Sequence, residues 1–378
     1  MNKEGDFKMF RITMASPVFH GNEKKYLNEC VDTGWISANG RFVNDFEKKF
    51  AEFCGAKYAI SCSNGTVSLH LCLLGLGIGP GDEVIMPALT YIATANCVTY
   101  CGAKPVFVDS EPDTFNMDPG KIEEKITGRT KAIMPVHLYG LPCNMDEINR
   151  IAQKHNLYVI EDAAEAHGAS INGKKVGTFG NVGSFSFFGN KIITCGEGGM
   201  VVTDDEALYQ KMKLLKGQGV SPNKRYWHTI VGYNYRMTNM QAAIGLAQIE
   251  EIDWHLAQRR RLMETYAKFL KPYGNLMTTQ AEPEGYHHVY WMNNVILSDE
   301  VRLERDEVMR RMEARGIEMR PVFYPMHIMP PYLDTSLSLP VAEHLSARGI
   351  SLPTHANLSD EDIREICESL AEICKGEK

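Results

Sequence analysis

The chain has 378 residues, of which 44% are hydrophobic and 23% are charged, and its formal net charge is −7. This length and composition are ordinary for a globular protein of two or three domains. The acidic balance argues against a nucleic-acid partner, because binding to a polyanion depends on clustered Lys and Arg. Small metabolites are therefore the expected ligands.

The start of the chain contains no apolar stretch ahead of a small-residue cleavage site. No uninterrupted apolar run reaches the length of about 18 residues that a membrane span needs. The sequence therefore predicts a cytoplasmic protein without a signal peptide or membrane contact. The ten cysteines form no Cys-x-x-Cys pair and no zinc pattern with nearby histidines, so free thiols and no metal site are expected.

Residues 1–57 are predicted to form an N-terminal arm with two helices, at 17–32 and 43–53, joined by a loop between glycines. Trp35 and Ser37 lie in that loop and are candidates for substrate contact. An indole in such a loop offers a stacking surface for a ligand, and it equally suits simple packing. Both interpretations of Trp35 stay open.

Strand-like and helix-like segments alternate from residue 58 to about residue 215. This alternation predicts an α/β fold with a mostly parallel seven-stranded sheet between helices. The strands are expected at 58–62, 83–87, 105–109, 132–136, 158–161, 183–188 and 199–203, and the helices near 65–76, 90–101, 118–126, 144–155 and 205–215. A Rossmann dehydrogenase alternates in the same way, but Pro80 stands where the glycine-rich segment 75–80 would need its third glycine. That segment also precedes a strand, whereas the dinucleotide fingerprint follows one.

The rest of the chain is predicted to contain a linking helix at 238–270 and a smaller α+β domain. Strands are expected at 286–297 and 318–323, and helices at 302–315 and 360–374. The predicted organisation is therefore an arm over 1–57, a large α/β domain over 58–237, and the linking helix with the small domain over 238–378.

Lys191 stands after the aromatic run 185–188 and before the glycine cluster 196–199. An ammonium group held there loses water unless it becomes neutral, finds a partner or enters a covalent bond. A desolvated lysine has a lowered pKa and becomes a nucleophile toward an aldehyde or ketone. A surface lysine in a turn would fit this segment equally well, so other residues must decide.

Asp162 follows the predicted strand 158–161, at the carboxyl end where α/β sheets bind ligands. Pyridoxal phosphate needs a carboxylate against its pyridinium nitrogen, and Asp162 fits that role, although it would also fit a helix cap. Earlier in the chain, Gly65 and Thr66 open a helix whose free N–H groups suit a phosphate, as they suit an ordinary cap by Asn64. The three features together indicate a pyridoxal phosphate site around Lys191.

Five motifs together resemble the DegT/DnrJ/EryC1/StrS sugar aminotransferases over nearly the whole chain: NGT at 64–66, PALTYIAT at 87–94, EDAAEAHG at 161–168, SFSFFGNK at 184–191 and GYNYRM at 232–237. The resemblance implies the aspartate aminotransferase fold, that of fold type I pyridoxal phosphate enzymes. It also implies that Tyr91 stacks on the cofactor ring and that Ser186 contacts its phosphate. Many members carry glutamine where this chain has Glu165, the expected contact of the ring hydroxyl, and a carboxylate needs a proton to make the same contact. The asparagine matching Asn234 reaches the phosphate in the partner subunit, which implies a homodimer with shared active sites.

The resemblance implies that Lys191 holds the cofactor covalently while Asp162 keeps its ring cationic. L-Glutamate is expected to leave its amino group as pyridoxamine phosphate, with release of 2-oxoglutarate, and a 4-keto sugar nucleotide to accept it at C4. Segments 185–200 and 320–330 most resemble members that use GDP-4-keto-6-deoxy-D-mannose, whose deoxyamino product serves O-antigen lipopolysaccharide, while UDP- and dTDP-linked keto sugars are alternatives. The expected substrate contacts are Trp35, Ser37, Arg236, Arg320, Tyr324 and His327.

Three other functions compete with amine transfer to a sugar. Sibling dehydratases carry histidine in place of the lysine, so Lys191 favours amine transfer over deoxygenation. Some relatives were described as regulators, but the acidic balance and the lack of a basic helix-turn-helix disfavour a DNA-associated protein. A pyridoxal phosphate enzyme that acts on amino acids alone is the third alternative.

Overall fold

The structure is a computed structural model that describes residues 10–376. Residues 1–9 and 377–378 lie outside the described residues. The start of the predicted arm and the expected lack of a signal peptide concern residues 1–9 and stay predictions. The arm contains helix α1 (Glu23–Thr33) and helix α2 (Arg41–Cys54). Each helix ends at a glycine with positive φ, Gly34 or Gly55, because glycine adopts the left-handed cap conformation without steric cost. Both predicted helices of the arm are present, but the first begins at Glu23 and not at residue 17.

Short strands alternate with helices through the middle of the chain. In chain order the strands are β1 (Tyr58–Cys62), β2 (Glu83–Pro87), β3 (Lys104–Val108), β4 (Thr130–Ile133), β5 (Tyr158–Asp162), β6 (Ser170–Ile171), β7 (Lys174–Lys175), β8 (Val182–Ser186) and β9 (Gly199–Thr203). Within residues 10–376 one sheet has seven strands in the order β1-β9-β8-β5-β4-β2-β3. Four of its strand pairs are parallel, and β9 runs antiparallel to β1 and β8. The predicted mostly parallel seven-stranded sheet is confirmed.

The helices around this sheet agree with the sequence patterns except at two places. They are α3 (Gly65–Leu76), α4 (Ala93–Tyr100), α5 (Met145–His155), α6 (Glu206–Lys216), α7 (Asn239–Glu250) and α8 (Ile252–Leu270). The helix predicted at 118–126 is wrong: the segment forms two short 3-10 turns, because Pro119 and Gly120 disfavour a longer helix. The single helix predicted at 238–270 is two helices, which meet at Glu251 with its non-helical φ of −107°.

The C-terminal part contains a second, antiparallel sheet. The remaining elements of the C-terminal part are strands β10 (Met277–Thr279), β11 (Tyr286–His287), β12 (Asn293–Leu297), β13 (Arg320–Pro321) and β14 (Gly349–Leu352), and helices α9 (Arg305–Ala314), α10 (Pro340–Arg348) and α11 (Asp360–Cys374). The order in this sheet is β10-β12-β14-β13. The strand predicted at 286–297 is therefore wrong as one strand, because β11 instead pairs with β6. Tyr290, between the two strands, has a positive φ that extended backbone does not allow.

Hydrophobic side chains pack into a large cluster around the parallel sheet and a smaller one between α8, α11 and the second sheet. The large cluster also takes up Trp291, Val322 and Leu345, so the C-terminal part closes over the sheet. The predicted domain boundaries stay a prediction. Among the described helices, none combines the length and the apolar character that crossing a bilayer requires.

Candidate active site

A cavity of about 690 Å³ lies at the carboxyl ends of β5 and β8, beneath the C-terminal part of the chain. Pockets for small molecules commonly measure roughly 300–1,000 Å³, so this one has room for a cofactor and part of a substrate. The parallel strands bring residues from distant motifs to one edge of the sheet. Of the residues expected from sequence, the cavity is lined by Gly65, Thr66, Tyr91, Asp162, Glu165, Ser186, Lys191 and Arg320.

Asp162 is the last residue of β5, and its carboxylate is buried. Thr94 Oγ1 donates to Oδ2 at 2.9 Å, and the Ala164 N–H donates to Oδ1 at 3.2 Å. Burial raises the pKa of Asp162, and the hydrogen bonds from Thr94 and Ala164 oppose that rise because they favour the charged form. The two donors also fix the orientation of the carboxylate at the cavity wall.

Lys191 lies on the turn that follows β8, where its backbone N–H donates to the carbonyl of Phe188 at 3.0 Å. Its Nζ stands 3.8 Å from the ring centroid of Trp291. Burial lowers the pKa of Lys191, and the carboxylates of Glu165 and Asp162 partly offset that effect. The lowered pKa agrees with the sequence analysis, and of the aromatic side chains in the run 185–188, Phe188 lines the cavity with Lys191. Phe185 and Phe187 pack on the other side against Phe46 and Phe50.

The start of α3 faces the end of β8 inside the cavity. Asn64 caps the helix by accepting from the Val67 N–H at 2.9 Å, so the capping interpretation of this turn holds. A Cβ placed on Gly65 would lie 2.6 Å from Ser186 Cβ and 2.9 Å from its Oγ. The backbone thus approaches the serine closely, and the first-turn N–H groups and two hydroxyls, of Thr66 and Ser186, line one wall. A helix N-terminus with added donors is suited to a phosphate group.

Gly65→Ala is expected to cost about 1–3 kcal/mol of stability, because the added methyl overlaps the serine on β8. The same displacement should weaken cofactor binding by at least about tenfold, since it moves the first-turn N–H groups. Thermal unfolding and a cofactor titration would measure the two effects. Gly79→Ala is the matched control, because a Cβ at Gly79 meets no heavy atom within 4 Å. Equal behaviour of the two variants would show that the close approach at Gly65 has no role.

Glu165 is buried in the cavity, and its Oε2 accepts the backbone N–H of Tyr139 at 2.7 Å. Burial raises the pKa of Glu165 to about 7, and the nearby Lys191 opposes that rise. A protonated carboxyl group donates a hydrogen bond as a glutamine side chain does. The burial of Glu165 thus supports the expectation that its carboxyl group carries a proton when it contacts the ring hydroxyl.

Glu165→Gln should stabilise the cofactor-free protein at high pH. The folded pKa is raised above the unfolded one, so the wild type loses stability as the pH rises from about 4.3 to about 7, and the cost is complete above that. The variant should therefore gain on the order of 2 kcal/mol at about pH 8.5 and little at about pH 5, as measured by chemical unfolding. The exposed Glu284→Gln serves as control. A gain independent of pH would contradict the assigned cause.

Six residues expected at the site lie outside the cavity lining. Asn234 Oδ1 accepts from Arg236 Nη2 at 3.0 Å on an exposed segment. The exposed loop residues Trp35 and Ser37 each offer a backbone carbonyl to Asn239. The remaining two lie near the cavity on the 320–330 loop: Tyr324, whose hydroxyl accepts from Arg305, and His327, which is buried against Glu343 at 2.9 Å. The cavity thus gathers the cofactor candidates except Asn234 and, of the substrate candidates, Arg320.

The cavity also contains residues that the sequence analysis did not single out. Thr94 belongs to the motif at 87–94, and its spacing of one helical turn from Thr90 was a usable signal. Tyr139, Trp291 and Phe323 come from separate segments, and their rings stack in one row beside Lys191. Only the folded chain brings these segments together.

Metal chemistry has no visible site in the part of the chain that the structure describes. Over residues 10–376, no group of three or more His, Cys, Asp or Glu side chains is arranged to hold a metal ion. The cysteines are free, and all of them except Cys101 are buried. Burial raises the pKa of these thiols, and even partial burial raises the pKa of Cys101 to about 11. Thiols with raised pKa values stay protonated and unreactive.

A buried carboxylate at a strand end, a desolvated lysine and a helix start suited to phosphate are the groups that a pyridoxal phosphate-dependent aminotransferase needs, and this is the class that the fold and the cavity indicate. Residues 18–371 match the DegT/DnrJ/EryC1/StrS aminotransferase family. The chain belongs to this family, and pyridoxal 5′-phosphate is its cofactor.

Individual relatives agree with this placement over their full lengths. The chain is 56% identical to a GDP-perosamine synthase of Caulobacter vibrioides, with 96% of this chain and 98% of the relative covered. It is 37% identical to EpsN of Bacillus subtilis, named a putative pyridoxal phosphate-dependent aminotransferase, with 96% of each covered. The crystal structure of an aminotransferase from Psychrobacter cryohalolentis superposes with a TM-score of 0.89 at 32% identity, covering 96% of this chain and 98% of that one.

Proposed function

We propose that the protein transfers the amino group of L-glutamate to C4 of GDP-4-keto-6-deoxy-D-mannose and so forms GDP-perosamine. The observation that carries the reaction is the shared cavity of Lys191 and Asp162 at the carboxyl ends of neighbouring parallel strands. The choice of substrate rests on the 56% identity to a GDP-perosamine synthase over almost the whole chain. The free buried cysteines suit the reducing cytoplasm as the location.

The residues of the cavity divide between binding and proton transfer. When bound, pyridoxal phosphate supplies the aldehyde and the electron-withdrawing ring that amine transfer needs. Lys191 Nζ would hold the cofactor covalently and, as a free amine, would act as the base that moves a proton at the site. Asp162 holds a proton on the ring nitrogen, because a buried anion stabilises a cation beside it.

The other proposed cofactor contacts follow the shape of the cavity. The start of α3 with Thr66 and Ser186 would bind the phosphate, Tyr91 would cover one ring face, and Glu165 would contact the ring hydroxyl, since all of them line the cavity. Tyr91 is 60% exposed and its ring centroid is 6.0 Å from that of Phe323, so it stands at the mouth where a flat ring can stack. These contacts hold the reacting atoms in place and exclude water from them.

Arg320 is the candidate for binding the sugar nucleotide. It lines the cavity beside Phe323, and its closest carboxylate contact, Glu318, is a long one of 3.4 Å. A guanidinium that is not committed to a tight ion pair is suited to a diphosphate, because it donates two parallel hydrogen bonds. Tyr324 and His327 sit on the same loop but point into protein contacts, so their proposed role is to support that loop.

We propose further that two copies of the chain form a homodimer and share their active sites. The segment 217–240 and the arm loop expose large apolar side chains, with Val231 89%, Tyr226 79% and Trp35 58% exposed. Exposed apolar groups in such number mark an interaction surface. In the dimer, Asn234 of one subunit would reach the phosphate site of the other, and Trp35, Ser37 and Arg236 its substrate.

Val231→Asp should convert the dimer to monomers, because a buried unpaired charge at an interface costs several kcal/mol. Light scattering after size-exclusion chromatography would measure the mass. Tyr158→Asp is the control, since Tyr158 is exposed at the opposite ends of the parallel strands. A wild type that runs as a monomer would overturn the shared-site proposal directly.

The substrate is tested with the half-reaction. The protein is first loaded with amino groups from L-glutamate, which should bleach the visible band of the bound cofactor. Keto sugars linked to GDP, UDP or dTDP are then added in turn, and the return of the band is timed. We expect the GDP-linked 4-keto-6-deoxy sugar to restore it fastest. Faster return with a UDP- or dTDP-linked sugar would make that sugar the substrate. No bleaching with glutamate would exclude glutamate as the amino donor.

A further inference from the structure

Trp291 contacts the reactive lysine in two separate ways. The face of its indole lies 3.8 Å from Lys191 Nζ, and its Nε1–H donates to the carbonyl of Asn190 at 2.8 Å. The first contact favours the ammonium form through the electron-rich ring face. The second fixes the backbone directly before the lysine. One side chain from the C-terminal part thus holds both ends of the Lys191 residue.

Trp291 is itself held on all sides. It is 5% exposed. Its backbone N–H donates to the carbonyl of Tyr139 at 2.9 Å, and its backbone carbonyl accepts from the buried Arg259 at 3.2 Å. The ring of Tyr139 is nearly parallel to the indole, with centroids 6.2 Å apart, and Phe323 continues the row at 5.3 Å from Tyr139. The indole therefore has little freedom to leave the lysine.

The backbone beside this row adopts conformations that L-residues rarely take. Tyr139 has a φ of 58° and Tyr290 a φ of 48°, and the two strained segments hydrogen-bond to each other next to the cavity. Such strain persists only where the surrounding structure imposes it, and it concentrates at functional sites. Packing alone would not require two strained tyrosines, but presenting the Trp291 ring to the lysine does account for them.

The carboxylates of Asp162 and Glu165 share the cavity with Lys191 and favour its charged form through space, without a hydrogen bond to its Nζ in the described part of the chain. The indole face of Trp291, 3.8 Å from Lys191 Nζ, is therefore the close contact that favours the charged form of the amine. The other titratable groups facing Lys191 are His167 and, across a small chamber, His255 and Arg259.

We propose that Trp291 is a positioning residue that holds the free Lys191 amine against the cavity wall until it acts on the cofactor. The inference rests on the proposed role of Lys191 and adds a residue to that site. It predicts that the indole face stabilises the charged amine, while the indole N–H sets the direction in which the chain of Lys191 leaves the turn.

The test measures Lys191 directly in the full-length, cofactor-free protein. A short pulse of acetic anhydride at a series of pH values, followed by peptide mass spectrometry, gives the pH at which half of Lys191 reacts. In Trp291→Leu the site stays apolar but loses the ring face, so the midpoint should fall by about one pH unit. In Trp291→Phe a weaker ring face remains, so the midpoint should fall by less. Trp254→Phe, whose indole packs on His20, is the control.

The outcomes separate the proposal from its rivals. A midpoint that falls in both variants while the control stays unchanged supports it. Unchanged or raised midpoints in both variants, with only a lower melting temperature, would make Trp291 a packing residue and overturn it. If Trp291→Leu does not fold, Trp291→Phe alone decides by the same criterion. The readout needs no substrate, so an inactive enzyme with the wrong proposed substrate would still give the expected shift.

Discussion

Lys191→Ala is expected to reduce turnover by at least about 10⁴-fold, the largest effect of any single substitution in the chain. The variant loses the atom that attaches to the cofactor and the base that moves the proton. No second lysine lines the cavity among the described residues, so no neighbour can take over. The proposed phosphate contacts, at the start of α3, Thr66 and Ser186, are unchanged in the variant. It should therefore still bind the cofactor, though more weakly.

Steady-state assay and the absorption spectrum measure the two parts of this prediction. Lys191→Arg keeps a positive charge and removes the nucleophile, so it should be as inactive as the alanine variant. Lys174→Ala is a matched control, because Lys174 also lies over an aromatic ring, 4.5 Å from the centroid of Phe179, but outside the cavity. Turnover above about 1% of wild type in Lys191→Ala would refute the assignment.

Asp162→Asn is expected to lower turnover by about 10²–10³-fold with little change in folding. The amide has nearly the same shape and can keep a hydrogen bond from Ala164, but it removes the negative charge. Burial increases the electrostatic effect of that charge, because a low-dielectric site strengthens the attraction to a cation on the ring nitrogen. The loss should appear in kcat, since the charge matters most when the ring withdraws electrons.

The spectrum and the pH profile distinguish this effect from a structural one. In the asparagine variant the bound cofactor should lose its ring proton at a lower pH than in the wild type. Asp109→Asn is the control, because Asp109 is also buried but accepts from the N–H groups of Val341 and Ala342 away from the cavity. A variant with full activity would exclude Asp162 as the partner of the ring nitrogen.

Local patterns were sufficient for much of the fold. The bounds of β1, β2, β9 and α3 agree with the predicted ranges, because each is an apolar run ended by turn or cap residues. Asp162 ends β5 and Lys191 comes after β8, and parallel strands bring their carboxyl ends to one edge, so the sequence could predict that the two residues share a cavity. Most of the proposed cofactor wall thus follows from chain order and strand direction.

Long-range pairing decided what the sequence did not show. β10, β14 and α10 escaped prediction because short elements of mixed polarity carry weak periodicity. Trp291 reaches Lys191 from 100 residues away in the chain, within a segment that reads as a continuous strand until Tyr290 breaks it. Tertiary contacts impose that break, and no local rule anticipates them.

The location of Trp291 late in the chain has a consequence for biosynthesis. A nascent polypeptide that has passed β9 already contains every strand of the parallel sheet, together with Lys191 and Asp162. It still lacks the indole, the guanidinium of Arg320 and the strand β14 that close the cavity. Ribosome-bound intermediates should therefore acquire the sheet before they can retain the cofactor firmly, so cofactor loading should come late in synthesis.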